Sequence, residues 1–118
     1  MPVTIYHNPR CSKSRKTLEI IEKSGVEPTV VRYLEDPPTA DEILVLAGRL
    51  GVSVADLVRR GEREFKEADD LPKLDDDPAL AAWLADHPIV LERPIVVDTA
   101  TGKAVIGRPP ENVEALLP

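Results

Sequence analysis

VTIYHNPRCSKSRKTLEIIEKSGVEPTVVRY, residues 3–33 of a chain of 118, decides the architecture. Val3-Thr4-Ile5-Tyr6 reads as a short strand that stops at the turn signal Asn8-Pro9. From Ser12 to Ser24 the apolar positions Leu18, Ile20 and Ile21 suit a helix packed on one side, and Gly25 supplies its stop. Thr29-Val30-Val31-Arg32-Tyr33 is a second strand, rich in β-branched residues. Strand, helix and strand within some thirty residues make a βαβ unit, which requires parallel pairing.

Working outward, Pro37-Pro38 breaks the chain, and Thr39 with Glu42 forms a capping box for a helix that runs to Leu50 and ends at Gly51. Ser53 is a candidate N-cap for a short helix through Arg59. Glu62 to Asp77 holds eight acids and three bases, which predicts a solvated connection with little regular structure. Asp77-Pro78 opens a helix over Ala79 to Asp86. Ile95-Val96-Val97 and Lys103 to Ile106 flank a turn at Thr101-Gly102 and read as a hairpin, and Pro110 to Leu117 as a last short helix. The order predicts an α/β fold: a four-stranded mixed sheet with flanking helices and a helical insertion at about 39–87, the outline of a single thioredoxin-like domain spanning residues 1–118.

The net charge is −6, against a general nucleic-acid binder, which needs a basic face. Residues 1–18 carry Arg10, Lys13, Arg15 and Lys16 and no acid, whereas the rest of the chain has eleven bases and 21 acids. A positive region therefore surrounds the only cysteine, Cys11. No uninterrupted apolar run, Ile43 to Ala47 included, approaches the roughly 20 residues of a membrane helix. MPVTIYHNPR has no charged region followed by an apolar stretch, so no secretory signal is expected; one cysteine cannot form an internal disulfide, and the expected compartment is the reducing cytoplasm. Two histidines, His7 and His87, give no metal-ligand spacing, and Asp69, Asp70 and Asp75 to Asp77 lack the order of a calcium loop, so no metal is expected. Trp83, Tyr6 and Phe65 read as core residues.

HNPRCSKSR, residues 7–15, carries the chemistry. It puts Cys11 where the first helix opens, beside free N–H groups and the positive end of the helix dipole, which favour a thiolate. Arg10, Lys13, Arg15 and, if protonated, His7 act in the same direction. Such settings bring a cysteine pKa from about 8.5 to roughly 3.5–7.5. The bland account is a buried structural cysteine. Ser14 occupies the place of a second redox cysteine in a Cys-x-x-Ser arrangement, so any redox cycle needs an external thiol. The serine either caps the helix or donates to the thiolate.

HNPRCSKSR, YLEDPP (33–38), Arg59, HPIVLERPIVV (87–97) and GRPPE (107–111) together resemble the glutaredoxin-coupled arsenate reductases, in order and over nearly the whole chain. The resemblance implies that Cys11 is the nucleophile, that His7 helps lower its pKa, and that Ser14 contacts the sulfur. It implies that Arg59, Arg93 and Arg108 surround the oxyanion, with Pro94 as a cis proline aiming Arg93. Arsenate would be the substrate, glutathione the co-substrate and glutaredoxin the protein partner, with no bound cofactor. The alternatives are a glutathione-dependent thiol reductase inactive on arsenate, and an Spx-like regulator that binds RNA polymerase. Such regulators usually carry the cysteine pair that Ser14 removes here.

Overall fold

The computed structural model describes residues 2–118, and its first strand, β1 (Val3–His7), alternates buried Val3, Ile5 and His7 with half-buried Thr4 and Tyr6. That alternation is what a period of two does to a strand with unequal faces. The helix α1 (Ser12–Lys23) follows, then β2 (Thr29–Arg32), which pairs with β1 in parallel, Ile5 opposite Val30. Gly25 ends the helix with φ +89°, a conformation that side chains with a Cβ resist. The hairpin forms from β3 (Ile95–Asp98) and β4 (Ala104–Ile106), and β3 lies antiparallel to β1. The sheet order is β2-β1-β3-β4, a mixed four-stranded sheet of the thioredoxin-like kind.

The chain divides into two compact units, one holding residues up to Asp36 with Arg93–Pro118, the other Pro37–Glu92. In the first, α1 and a closing 3-10 stretch (Pro110–Leu116) cover one sheet face, burying Val3, Ile5, Ile21, Val96, Val113 and Leu116 together. Leu18 and Ile20 pack at its margin. Every residue of β3 is buried, as suits a strand with a neighbour on each side.

In the second unit α2 (Ala40–Leu50) packs on α4 (Asp77–Asp86) and on a 3-10 turn (Val54–Leu57). Ile43, Leu46, Leu57, Leu80 and Leu84 are among the buried side chains there. Thr39 and Glu42 form the expected capping box. Three local expectations change. Asp76 rather than Asp77 caps α4, accepting from the Ala79 N–H at 3.2 Å, because the helix starts two residues earlier than the proline spacing suggests. The acidic connection contains one helical turn, α3 (Arg63–Lys66), braced by an Arg63–Glu67 pair at 3.1 Å. Phe65 on that turn and Tyr6 on β1 are half-buried rather than core, whereas Trp83 is buried and donates its indole N–H to Asp70. His87 caps the end of α4 and stacks on Trp83 at 4.0 Å. No helix among the described residues is long and apolar enough to cross a membrane.

Candidate active site

The loop between β1 and α1 is built by Asn8. Its carbonyl accepts from the Cys11 N–H at 3.0 Å, and its side-chain oxygen accepts from the Arg10 N–H at 3.0 Å. An asparagine ahead of a proline closes a turn in this way because its short amide mimics backbone. Cys11 thereby becomes the N-cap of α1, in extended conformation. Its thiol faces the first N–H groups of the helix, where the N-terminus favours negative charge.

Arg93 and Arg108 come to the same sulfur from the other side of the sheet sequence. Arg108 Nη2 donates to Cys11 Sγ at 3.4 Å, and its Nε donates to the Arg93 carbonyl at 2.8 Å. Arg93 is buried, its peptide bond to Pro94 is cis as the resemblance implies, and that from Arg108 to Pro109 is cis as well. Burial alone would push the Cys11 thiol up. The backbone N–H groups of Ser14 and Lys13, the Arg108 charge and a hydrogen bond from Arg93 outweigh it, and the thiol sits below its ordinary value. The cations that do this are distant in sequence. Lys13 acts through its backbone, and the Arg15 guanidinium is spent on the Pro9 carbonyl at 2.9 Å.

His7 and Ser14 play a different part from the expected one. Ser14 is wholly buried because its place on α1 faces the sheet. Its hydroxyl meets His7 Nδ1 at 2.7 Å and accepts from the Asn8 N–H at 3.0 Å, so it neither caps the helix nor turns to the sulfur. Its backbone N–H is the group that serves the thiolate. Burial, with Arg32 and Arg15 nearby, lowers the His7 pKa and so favours the uncharged imidazole beside Cys11. Which of His7 and Ser14 donates follows from the tautomer of the ring.

Arg59 belongs to the second unit. Its guanidinium meets Glu92 at 2.9 Å and Glu62 at 3.3 Å, with a quarter of each side chain exposed. Sequence reasoning missed Asn8, whose only signal is its place before Pro9, and Thr17, a buried hydroxyl that donates to the Lys13 carbonyl at 2.8 Å. No group of three His, Cys, Asp or Glu side chains among the described residues could hold a metal ion.

A single cysteine at the opening of the first helix of a thioredoxin-like sheet, faced by two arginines, is a setting that favours a thiolate. The chain belongs to the ArsC family, which it matches over residues 6–116. It is 47% identical over 98% of its length to an arsenate reductase of Neisseria meningitidis serogroup A, covering 97% of that protein. It is 49% identical over 94% of its length to an uncharacterised protein, YfgD, of Escherichia coli strain K12, covering 92% of it. The structure of an arsenate reductase from Vibrio cholerae superposes with a TM-score of 0.90 at 45% identity, over 99% of this chain and 98% of that one.

Proposed function

We propose that this protein reduces arsenate to arsenite through a Cys11–arsenic adduct, in the reducing cytoplasm where a lone thiol stays reduced. The observation that carries the reading is the placement of Arg108 Nη2 3.4 Å from Cys11 Sγ, with Arg93 bonded to the same sulfur. Arginine stays charged and its planar fork suits tetrahedral oxyanions. A nucleophile and two anion ligands therefore meet at one atom.

The thiolate attacks arsenic and an arsenate oxygen leaves as water, the arginines stabilising charge on the remaining oxygens. An external thiol, for which glutathione is the proposed co-substrate, then attacks the arsenic. When the two sulfurs join as a mixed disulfide, they give up the electron pair that takes As(V) to As(III). Glutaredoxin thiolate removes the glutathione from Cys11, and no bound cofactor is called for. His7 and Ser14 hold the loop in shape rather than charging the sulfur. Arg59 is assigned to the oxyanion by resemblance alone.

A thiol reductase inactive on arsenate is the second reading, which the same lone free thiol beside two arginines would also serve. The deciding experiment measures arsenite from arsenate with glutathione and glutaredoxin omitted in turn. Arsenite that needs both donors is expected. Reactive Cys11 without arsenite formation would replace the proposal by the second reading.

A further inference from the structure

Gly107 links β4 to Arg108, and its surroundings leave no room for a side chain. A Cβ built there would collide with Thr17 Oγ1, lie 2.8 Å from Pro94 Cγ and 3.1 Å from Thr17 Cγ2. Its backbone is not in the left-handed region, so space rather than conformational freedom calls for glycine. Neither neighbour can yield cheaply. Thr17 is wholly buried, β-branched on a helix, and tied through Oγ1 to the Lys13 carbonyl at 2.8 Å. Pro94 Cγ belongs to a closed ring.

The same short segment is bonded to the other arginine turn. The Gly107 N–H donates to the Pro94 carbonyl at 2.9 Å, and Arg108 Nε donates to the Arg93 carbonyl at 2.8 Å. Thr17 lies on α1, the helix that Cys11 caps, so the segment touches the cysteine's helix and the Arg93 turn at once. The Arg108–Cys11 contact is 3.4 Å, an ordinary distance for a donor on the larger sulfur atom, and a displacement of about 1 Å would break it.

We propose that Gly107 is a positioning residue: the missing side chain lets its turn close on Thr17 and Pro94, and that closure sets Arg108 against the Cys11 sulfur. Gly107 touches neither sulfur nor substrate and acts through Arg108. Only the arsenate readout below rests on the proposed function.

The test is Gly107→Ala, with Cys11 titrated by thiolate ultraviolet absorbance and alkylated by iodoacetate and iodoacetamide. The expected result is a titration moved to higher pH and an iodoacetate-to-iodoacetamide rate ratio lowered about three- to tenfold, since only the anionic reagent feels the arginine. Gly48→Ala, where a Cβ meets nothing within 4 Å, is expected to change neither. Thr17→Ala added to Gly107→Ala removes two of the three close contacts and is expected to recover part of the shift. A well-folded Gly107→Ala protein with an unmoved titration and ratio would overturn the proposal. Should that variant not fold, the double variant is compared with Thr17→Ala alone. The remaining Pro94 contact predicts a higher Cys11 titration in the double variant, and equality would overturn the proposal. Arsenate kcat/KM should fall in the same direction as when Arg108 itself is lost. Absence of arsenite from the wild-type protein would sink the functional reading while leaving the titration result to stand or fall separately.

Discussion

Arg108 and Arg59 are both partly buried arginines held by close partners, and their partners differ in kind. Arg59 lies between two carboxylates, Glu92 at 2.9 Å and Glu62 at 3.3 Å. Arg108 bonds a carbonyl and a thiol, and the thiol is an anion only when it has lost its proton. The first arrangement ties Glu62 and Glu92, thirty residues apart, through one side chain. The second moves a proton equilibrium, because the guanidinium favours one of the two states of its partner. An arginine between two carboxylates ties segments of the fold together, and one beside a thiol tunes reactivity.

The contrast depends first on Cys11 being the reacting atom. Cys11→Ser should lower arsenite production by more than about 1,000-fold, as removal of a covalent nucleophile does. Retained turnover, measured with purified donors, would take the sulfur out of the mechanism. Arg108→Ala should lower kcat/KM for arsenate by about 100-fold, the scale of losing one charge-stabilising donor. It should also move the Cys11 alkylation profile to higher pH, because a cation that favours the thiolate has gone. An unmoved profile would make Arg108 equivalent to Arg59.

How much of this could be read in advance follows from range. The βαβ unit and the hairpin are legible because β-branched strands, a one-sided helix and glycine stops are local signals, as at Thr29–Arg32 and Gly25. The cysteine at the helix N-terminus is equally local. The cations around it are not: Arg108 lies 97 residues away, so the basic cluster at Arg10 to Lys16 looked like the source of charge when it is the near neighbour in sequence only. The direction of the Ser14 hydroxyl depends on which face of α1 meets the sheet, and Phe65 escapes the core because its helix is a single turn with no buried residue.

The His7–Ser14 contact is the polar counterpart of this comparison, a structural pair lying next to a reactive atom. Ser14→Ala would leave His7 Nδ1 and the Asn8 N–H without the hydroxyl that both meet. Denaturant unfolding should show a loss of about 2 kcal/mol, the scale of burying unsatisfied polar groups. The titration of His7 adds a pH signature. Its folded pKa is lowered from 6.5, so the unfolded chain binds the proton more readily. The native advantage is present above pH 6.5 and is lost as pH falls below it toward the lowered folded value. His7→Gln should flatten that part of the stability profile, and a profile that keeps its slope would place the titration elsewhere.

The smallest effect is expected at Arg59. Its partners are a quarter exposed, so solvent screens the two pairs and Arg59→Ala should cost no more than about 1 kcal/mol in denaturant unfolding. The Cys11 alkylation profile should not move, since Arg59 is not among the groups that set the sulfur's charge. If arsenate draws on Arg59, as the resemblance implies, the cost appears in KM alone and stays below about tenfold, because each encounter must compete with Glu62 and Glu92 for the same guanidinium. Glu92→Gln then provides the sharper variant. Removing the charge at 2.9 Å should lower the arsenate KM while the Cys11 titration stays fixed, and a KM indifferent to both variants would leave Arg59 a structural residue.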